Sequence, residues 1–279
     1  MSFADIFDKI EENARAAIKT AAGDYEKDGL LHCGNCHTPK QCCVVVFETI
    51  RKPPCLCQCA KAALDKEAEE RRQREHFQKV QRFRHMGFPE SEMSNWTFAA
   101  DDGSNPKMTN AMKNYVEHFN TFRAAGKGLL LFGDVGTGKT FLASCVANAL
   151  IDKGIPCLVT NFARIANTVQ GLFEGRQEYY DSLNRFPLLV LDDLSAERKT
   201  EYMQEIVFNV IDARYRAKLP MIITTNLTRE ELMHPADVTY QRIYSRLFEM
   251  CTPIEIEGAD RRHAALKNDI AATKQLLGL

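Results

Sequence analysis

The run 128–140, GLLLFGDVGTGKT, constrains this chain more than any other stretch. A short apolar segment, 129–132, enters a turn made of Gly133, Asp134, Val135, Gly136, Thr137 and Gly138. Lys139, Thr140 and a helix-compatible segment beginning at Phe141 follow. This is G-x-x-x-x-G-K-[ST] between a strand and a helix, the context the pattern requires. Glycines let backbone N–H groups turn inward around phosphate oxygens, where side chains would block the approach. Lys139 is placed to neutralise the β- and γ-phosphates, and the Thr140 hydroxyl to take one position on Mg²⁺. The start of the helix adds its positive end. The bland alternative is a Gly-rich turn that happens to precede Lys-Thr, and the flanking elements argue against it. The segment predicts a nucleoside triphosphate site.

Its second half lies downstream. The stretch 188–197, LLVLDDLSAE, is an apolar strand ending in two acids about fifty residues beyond the loop. At the C-terminal end of a parallel strand, carboxylates lie where ligands collect. Asp192 would hold Mg²⁺, directly or through water, and Asp193 would polarise the attacking water as general base. In MIITTNLT, Asn226 either orients water against the γ-phosphate or caps the next turn. In QRIYSRLFE, Arg242 and Arg246 share a helix face and could reach a neighbouring subunit's nucleotide; surface ion pairing, as with Glu249, is the plainer role. Arg261 and Arg262 in IEIEGADRRH follow the last strand and could meet the γ-phosphate of their own subunit.

Around these motifs, helices are expected over 107–125, 141–153, 162–173, 201–218 and 238–250. They alternate with strands at 129–132, 157–160, 188–191, 221–225 and 253–257, and a polar connector spans 175–186. That order predicts an α/β domain with a parallel sheet covered on both faces. Cys145, Cys157 and Cys251 sit in apolar contexts and read as packing residues.

The front of the chain is different in kind. Residues 1–28 read as an amphipathic helix with Phe3, Ile6, Phe7, Ile10, Ala14 and Ile18 at helical spacing, capping a small domain or docking a partner. Seven of ten cysteines then fall within 27 residues: Cys33, Cys36, Cys42, Cys43, Cys55, Cys57 and Cys59. Two close pairs separated by about twenty residues are the arrangement of a small zinc module. Cys33, Cys36, Cys57 and Cys59 are the preferred Zn²⁺ ligands. The registers Cys55/Cys57 and Cys55/Cys59 stay open, and Cys42 could substitute. A redox C-x-x-C competes, but no thioredoxin-like βαβ pattern surrounds it. Residues 60–85 form a charged helical linker, broken at Gly87-Phe88-Pro89. Trp96, the only tryptophan, lies with Phe98 either in a base pocket or as an apolar anchor. Net charge is −1 and apolar content 45%, so any nucleic-acid contact must come from local patches. No apolar run reaches membrane-spanning length, and the N-terminus has no signal-peptide organisation, so a cytoplasmic protein without a membrane partner is expected.

Taken in order, GDVGTGKT, LLVLDDLSAE, ITTNLT, RIYSRL and EGADRR resemble AAA+ ATPases, and more narrowly the bacterial helicase loaders of the DnaC/DnaI type and the related IstB-like transposition ATPases. The resemblance covers roughly 95–270. It implies an AAA+ P-loop sheet lacking a full helical lid, with ATP and Mg²⁺ as cofactors. Lys139 and Thr140 would be Walker A residues, Asp192 and Asp193 Walker B, Asn226 sensor 1, Arg246 the arginine finger and Arg262 a sensor-2-like residue. The second Walker B acid is Asp where many AAA+ members have Glu, which implies slow hydrolysis. A zinc-binding N-terminal region before a helical linker is similar to DnaI-type loaders. The implied organisation is 1–60 zinc-binding, 61–94 linker and 95–279 ATPase. The implied partners are the replicative DNA helicase, single-stranded DNA and further copies of the chain. Arg164, Arg176 and Arg185 would touch the DNA backbone, with Tyr179 or Tyr180 stacking on bases. Three rivals remain: a transposition adaptor, a small-molecule P-loop kinase, and a switch whose zinc domain itself binds DNA.

Overall fold

The computed structural model describes residues 21–46, 49–89, 92–194, 200–235, 237–260, 273–274 and 276–277. It divides into two compact units, with the boundary between Phe77 and Gln78.

In the first unit, β1 (Tyr25–Lys27) and β2 (Leu30–His32) form an antiparallel hairpin, as do β3 (Val44–Val46) and β4 (Thr49–Arg51). Residues 1–20 of the expected N-terminal helix lie outside the described residues, but 21–28 are a turn and a strand, not helix. The reason is local. Asp28 and Gly29 both have positive φ, 53° and 70°, which is the Asp-Gly turn that suits a two-residue hairpin. The Asp24 carboxylate accepts the N–H groups of Ala21 (2.8 Å) and Gly34 (3.0 Å) and pairs with Lys40 (2.6 Å), fastening the hairpin to the cysteine turn. The linker helix, α1 (Gln58–Gly87), is 30 residues long and runs across the boundary; its only buried residues, Val80 and Gly87, belong to the second unit. Pairs such as Arg72–Glu69 at 2.7 Å lace its solvated face.

The second unit holds a five-stranded sheet, parallel throughout, in which the strands at 157–161, 188–194, 221–225, 128–132 and 251–255 lie side by side in that order. The expected helix 107–125 is two, α2 (Pro106–Glu117) and α3 (Phe119–Ala124), broken at His118. Then come β5 (Gly128–Phe132), α4 (Lys139–Asp152), β6 (Cys157–Asn161) and α5 (Phe162–Gln170). The polar connector is partly ordered as α6 (Arg176–Ser182). After it run β7 (Leu188–Leu194), α7 (Glu201–Ala217), β8 (Met221–Thr225), α8 (Arg229–Met233), α9 (Val238–Met250) and β9 (Cys251–Glu255).

Period-two alternation divides each central strand between two cores. Leu130 and Phe132 face one cluster with Leu189, Leu191 and Ile223, packed by α5, α7 and α9. Leu129 and Leu131 face the other with Leu188, Val190 and Ile222, packed by α2 and α4. A strand buried on both faces needs the continuous apolar runs seen here. Cys145, Cys157 and Cys251 are buried in this interior, and burial pushes the Cys251 thiol up to about 12. Arg214 is fully buried as well. It donates to the carbonyls of Phe186 (2.8 Å) and Pro220 and so staples the connector to the start of β8. No helix among the described residues is long and apolar enough to cross a membrane.

Candidate nucleotide site and cysteine cluster

The strand order brings the two halves of the site together. The loop after β5 and the acids of β7 are separated in the sheet by β8 alone. Gly138, at φ 94°, lets the chain turn from the loop into α4, so the helix starts at Lys139, two residues earlier than the pattern predicts. A cleft of about 340 Å³ opens here, walled by Val135, Gly136, Gly138, Lys139, Thr140 and Phe141 from the loop side. Asp192, Asp193, Thr224 and Asn226 come from β7 and β8, and Trp96 from the segment before α2.

Within the cleft the expected residues meet. Thr140 Oγ1 donates to Asp192 Oδ1 at 2.7 Å. Cis oxygens on an octahedral Mg²⁺ with bonds of 2.0–2.1 Å stand about 2.9 Å apart, so this hydroxyl and carboxylate fit two neighbouring positions on the ion. Lys139 is buried, and its ammonium donates to the carbonyls of Gly133 (2.8 Å) and Asp134 (2.6 Å), holding the loop closed on itself. Asn226 Nδ2 donates to Asp193 Oδ1 at 3.0 Å, pairing the proposed base with the proposed water-orienting amide.

Two adjacent acids on a regular strand would point to opposite faces. Here both line one cleft, and the backbone explains it. Asp193 has φ +57°, and the β7–β8 register slips between Leu191 and Leu194, a bulge. A non-glycine residue there costs on the order of 1 kcal/mol or more, strain of the kind found at functional sites. Thr224 holds the bulge: its hydroxyl accepts the Asp193 N–H (2.9 Å) and donates to Asp192 Oδ1 (2.6 Å). Sequence reasoning missed Thr224. Its only signal is the TT preceding Asn226, where alternation turns one threonine inward.

The Trp96 segment is anchored to the core, and its side chain borders the cleft. Asn148 Nδ2 donates to the carbonyls of Met93 (3.0 Å) and Trp96 (2.8 Å), pinning the segment, while the ring lies 6.2 Å from that of Phe141 at the cleft wall. Arg246 is engaged within its own chain, paired with Asp212 at 2.5 Å and lying 4.6 Å over the Phe208 ring. Arg242 lines a separate surface depression with Glu201, Glu205 and Asp237. Arg261 and Arg262 lie outside the described residues. Arg164, Arg176 and Arg185 are exposed. Tyr180 is buried in the core, so the expectation that it stacks on bases is corrected; its neighbour Tyr179 is half-buried.

In the first unit, the Sγ atoms of Cys33, Cys36, Cys57 and Cys59 all lie within 4.8 Å of one another. Thiolates around a tetrahedral zinc with 2.3 Å bonds stand about 3.8 Å apart, so the donor set fits Zn²⁺. Cys42 and Cys55 point elsewhere, toward the carbonyls of Pro53 and Pro39. Crowding divides the thiols. The Thr38 hydroxyl and nearby backbone N–H groups hold Cys36 down to about 5, whereas Cys57, Cys33 and Cys36 push Cys59 up to about 12. A divalent cation would relieve that conflict.

A family profile for IstB-like ATP binding proteins matches residues 57–268. The chain is 26% identical over 181 residues to the replicative helicase loader DnaI of Bacillus subtilis (strain 168), covering 60% of this chain and 58% of that protein. It is 34% identical over 122 residues to a putative insertion sequence ATP-binding protein of Sinorhizobium fredii (strain NBRC 101917 / NGR234), covering 42% of this chain and 40% of the other. It thus spans little more than half of the first relative and less than half of the second. Among solved structures, a crystal structure of the DnaC helicase loader superposes with a TM-score of 0.51 at 26% identity, over 60% of this chain and 99% of that one.

Proposed function

The chain belongs to the IstB-like ATP-binding protein family, with the AAA+ P-loop fold, and on that premise we propose that it loads the replicative DNA helicase during initiation of DNA replication, using ATP as timer. The observation that carries the ATPase part of this reading is the cleft where Thr140 and Asp192 share a hydrogen bond beside the pair of the strained Asp193 and Asn226, and the likeness to DnaI and DnaC supports the helicase as partner. Such a site binds ATP·Mg²⁺ through the phosphate loop, with Thr140 and Asp192 on the ion. Asp193 takes a proton from the attacking water, and Asn226 fixes both. A shorter acid than the usual Glu holds that water less well, so turnover is slow.

The remaining parts follow from chemistry. The four-cysteine cluster holds structural Zn²⁺ and builds the helicase-gripping region. The division 1–60, 61–94 and 95–279 describes grip, linker and motor. Arg246 would leave Asp212 to reach a neighbouring subunit's nucleotide, giving self-association an ATP dependence, and Arg262 would serve its own subunit. Arg164, Arg176, Arg185 and Tyr179 would contact single-stranded DNA. The protein works in the cytoplasm.

A second reading is supported by the insertion-sequence relative: an ATP-bound form that marks target DNA and recruits a transposase. A pull-down with the cognate replicative helicase separates the two. It is run with ATP, with ADP, with Lys139→Ala, and after deleting residues 1–77. Capture that needs 1–77 and survives Lys139→Ala supports the loader. No capture under any nucleotide, with ATP-dependent coating of duplex DNA, supports the transposition ATPase.

A further inference from the structure

The segment after β9 places an acid against the phosphate loop. Ile256 N–H donates to the Phe132 carbonyl at 2.8 Å, carrying the chain past β9 beside the start of the phosphate loop. The Glu257 carbonyl accepts from Asn105 Nδ2 at 3.1 Å, which fixes the path. From there the segment lies directly on the loop. A Cβ on Gly133 would meet the Ile256 carbonyl oxygen at 2.6 Å, and one on Gly136 would meet the Asp260 carboxylate oxygen at 1.9 Å. The Asp260 carboxylate therefore packs on the bare Cα of Gly136, in the turn whose N–H groups, with Lys139 and the N-terminus of α4, favour anions.

We infer that Asp260 is a specificity-determining residue of the nucleotide site: its carboxylate competes with the nucleotide's phosphates for the loop, and a triphosphate must displace it to bind. Phosphate oxygens and a carboxylate cannot share a cradle that one anion fills, because like charges at contact repel and both want the same donors. ATP binding thereby moves the Asp260 carboxylate off Gly136, while Ile256 stays in the core. Gly136 is required for the resting contact, since any side chain there would occupy the carboxylate's place. This inference rests on the ATP-binding reading of the cleft.

The test is calorimetric titration of the full chain with ATP·Mg²⁺, comparing wild type with Asp260→Asn, Asp260→Ala and Glu257→Gln. Asn keeps the shape of Asp and removes its charge; Glu257 is exposed on the same segment and controls for the general loss of an acid. We expect Asp260→Asn and Asp260→Ala each to bind ATP about tenfold tighter, ~1.4 kcal/mol, with Glu257→Gln close to wild type. Unchanged or weaker binding by both Asp260 variants overturns the inference, as does an equal gain from Glu257→Gln, which would make the effect a diffuse field. A wild type that binds no ATP, while its thermal unfolding remains cooperative, sinks the nucleotide reading itself.

Discussion

Between Gly23 and Phe77 the apolar side chains fully shielded from water, among the described residues, are Cys33 and Cys57, whereas the unit from Gln78 onward buries both faces of its sheet. Val45 and Ile50 of the second hairpin stand 72% and 66% exposed, so the described residues of the small unit supply almost no hydrophobic driving force. Its order rests on hydrogen bonds, the Asp24 hub and four convergent thiols. The large unit sets its proposed cation ligands on a sheet packed on both faces. On the proposed reading, metal is a folding element in one region and a reaction component in the other.

Stripping metal breaks that comparison most sharply. Chelation of purified protein is expected to unfold the first unit, since structural zinc supplies on the order of 10 kcal/mol to modules of this size. Cys36→Ser should do the same, while the thermal transition of the sheet domain stays in place. Calorimetry with two resolved transitions checks it, and a first unit that stays folded without metal sinks it. Leu130→Ala probes the opposite dependence. Leu130 is fully buried on an interior strand of the sheet, so its truncation should cost about 2–5 kcal/mol of the second transition and leave zinc affinity untouched.

Function inside the cleft should separate from stability. Asp193→Asn is expected to lower ATP hydrolysis about a hundredfold or more while ATP binding persists. An added benefit is relief of strain, as Asn tolerates positive φ at least as well as Asp. A phosphate-release assay beside a binding titration decides it, and a wild-type rate removes Asp193 as the base.

The smallest effect is a pH dependence. Asp237 caps α9, accepting the Thr239 N–H at 2.6 Å and the Gln204 amide at 3.0 Å, and these hold its carboxyl below the ordinary carboxylate value. A depressed folded value means stability present above the unfolded value near 3.8 and lost as pH falls through the folded one. Asp237→Ala should then lower the melting temperature of the sheet domain at pH 7, with the gap narrowing below about pH 4. A gap independent of pH would place the stabilisation in packing.

Much of this was legible in the chain. The apolar runs at 129–132, 188–191 and 221–225 announce strands buried on both faces, and each is found within β5, β7 and β8. The glycines of 133–138, the Lys-Thr pair and the acids at 192–193 name the chemistry because phosphate and Mg²⁺ tolerate few residue types. The C-x-x-C spacing points to Cys33 and Cys36, but CLCQC leaves more than one register open, and the fold brings Cys57 and Cys59 to that pair. Less legible was anything decided by a single backbone angle. The Asp28-Gly29 turn replaced an expected helical end, His118 split a helix in two, and the connector's Tyr180 turned inward to the core.

By itself, then, the sequence determined which groups could do the chemistry, since periodicity and motif spacing are properties of neighbours along the chain. Only the tertiary structure decided that β8 stands between the loop and the acids, that a bulge at Asp193 turns both carboxylates into one cleft, and that Asp260 comes to rest on Gly136. Those facts join residues 31 to 124 positions apart, and such contacts are set by the packing of layers, which no local pattern encodes.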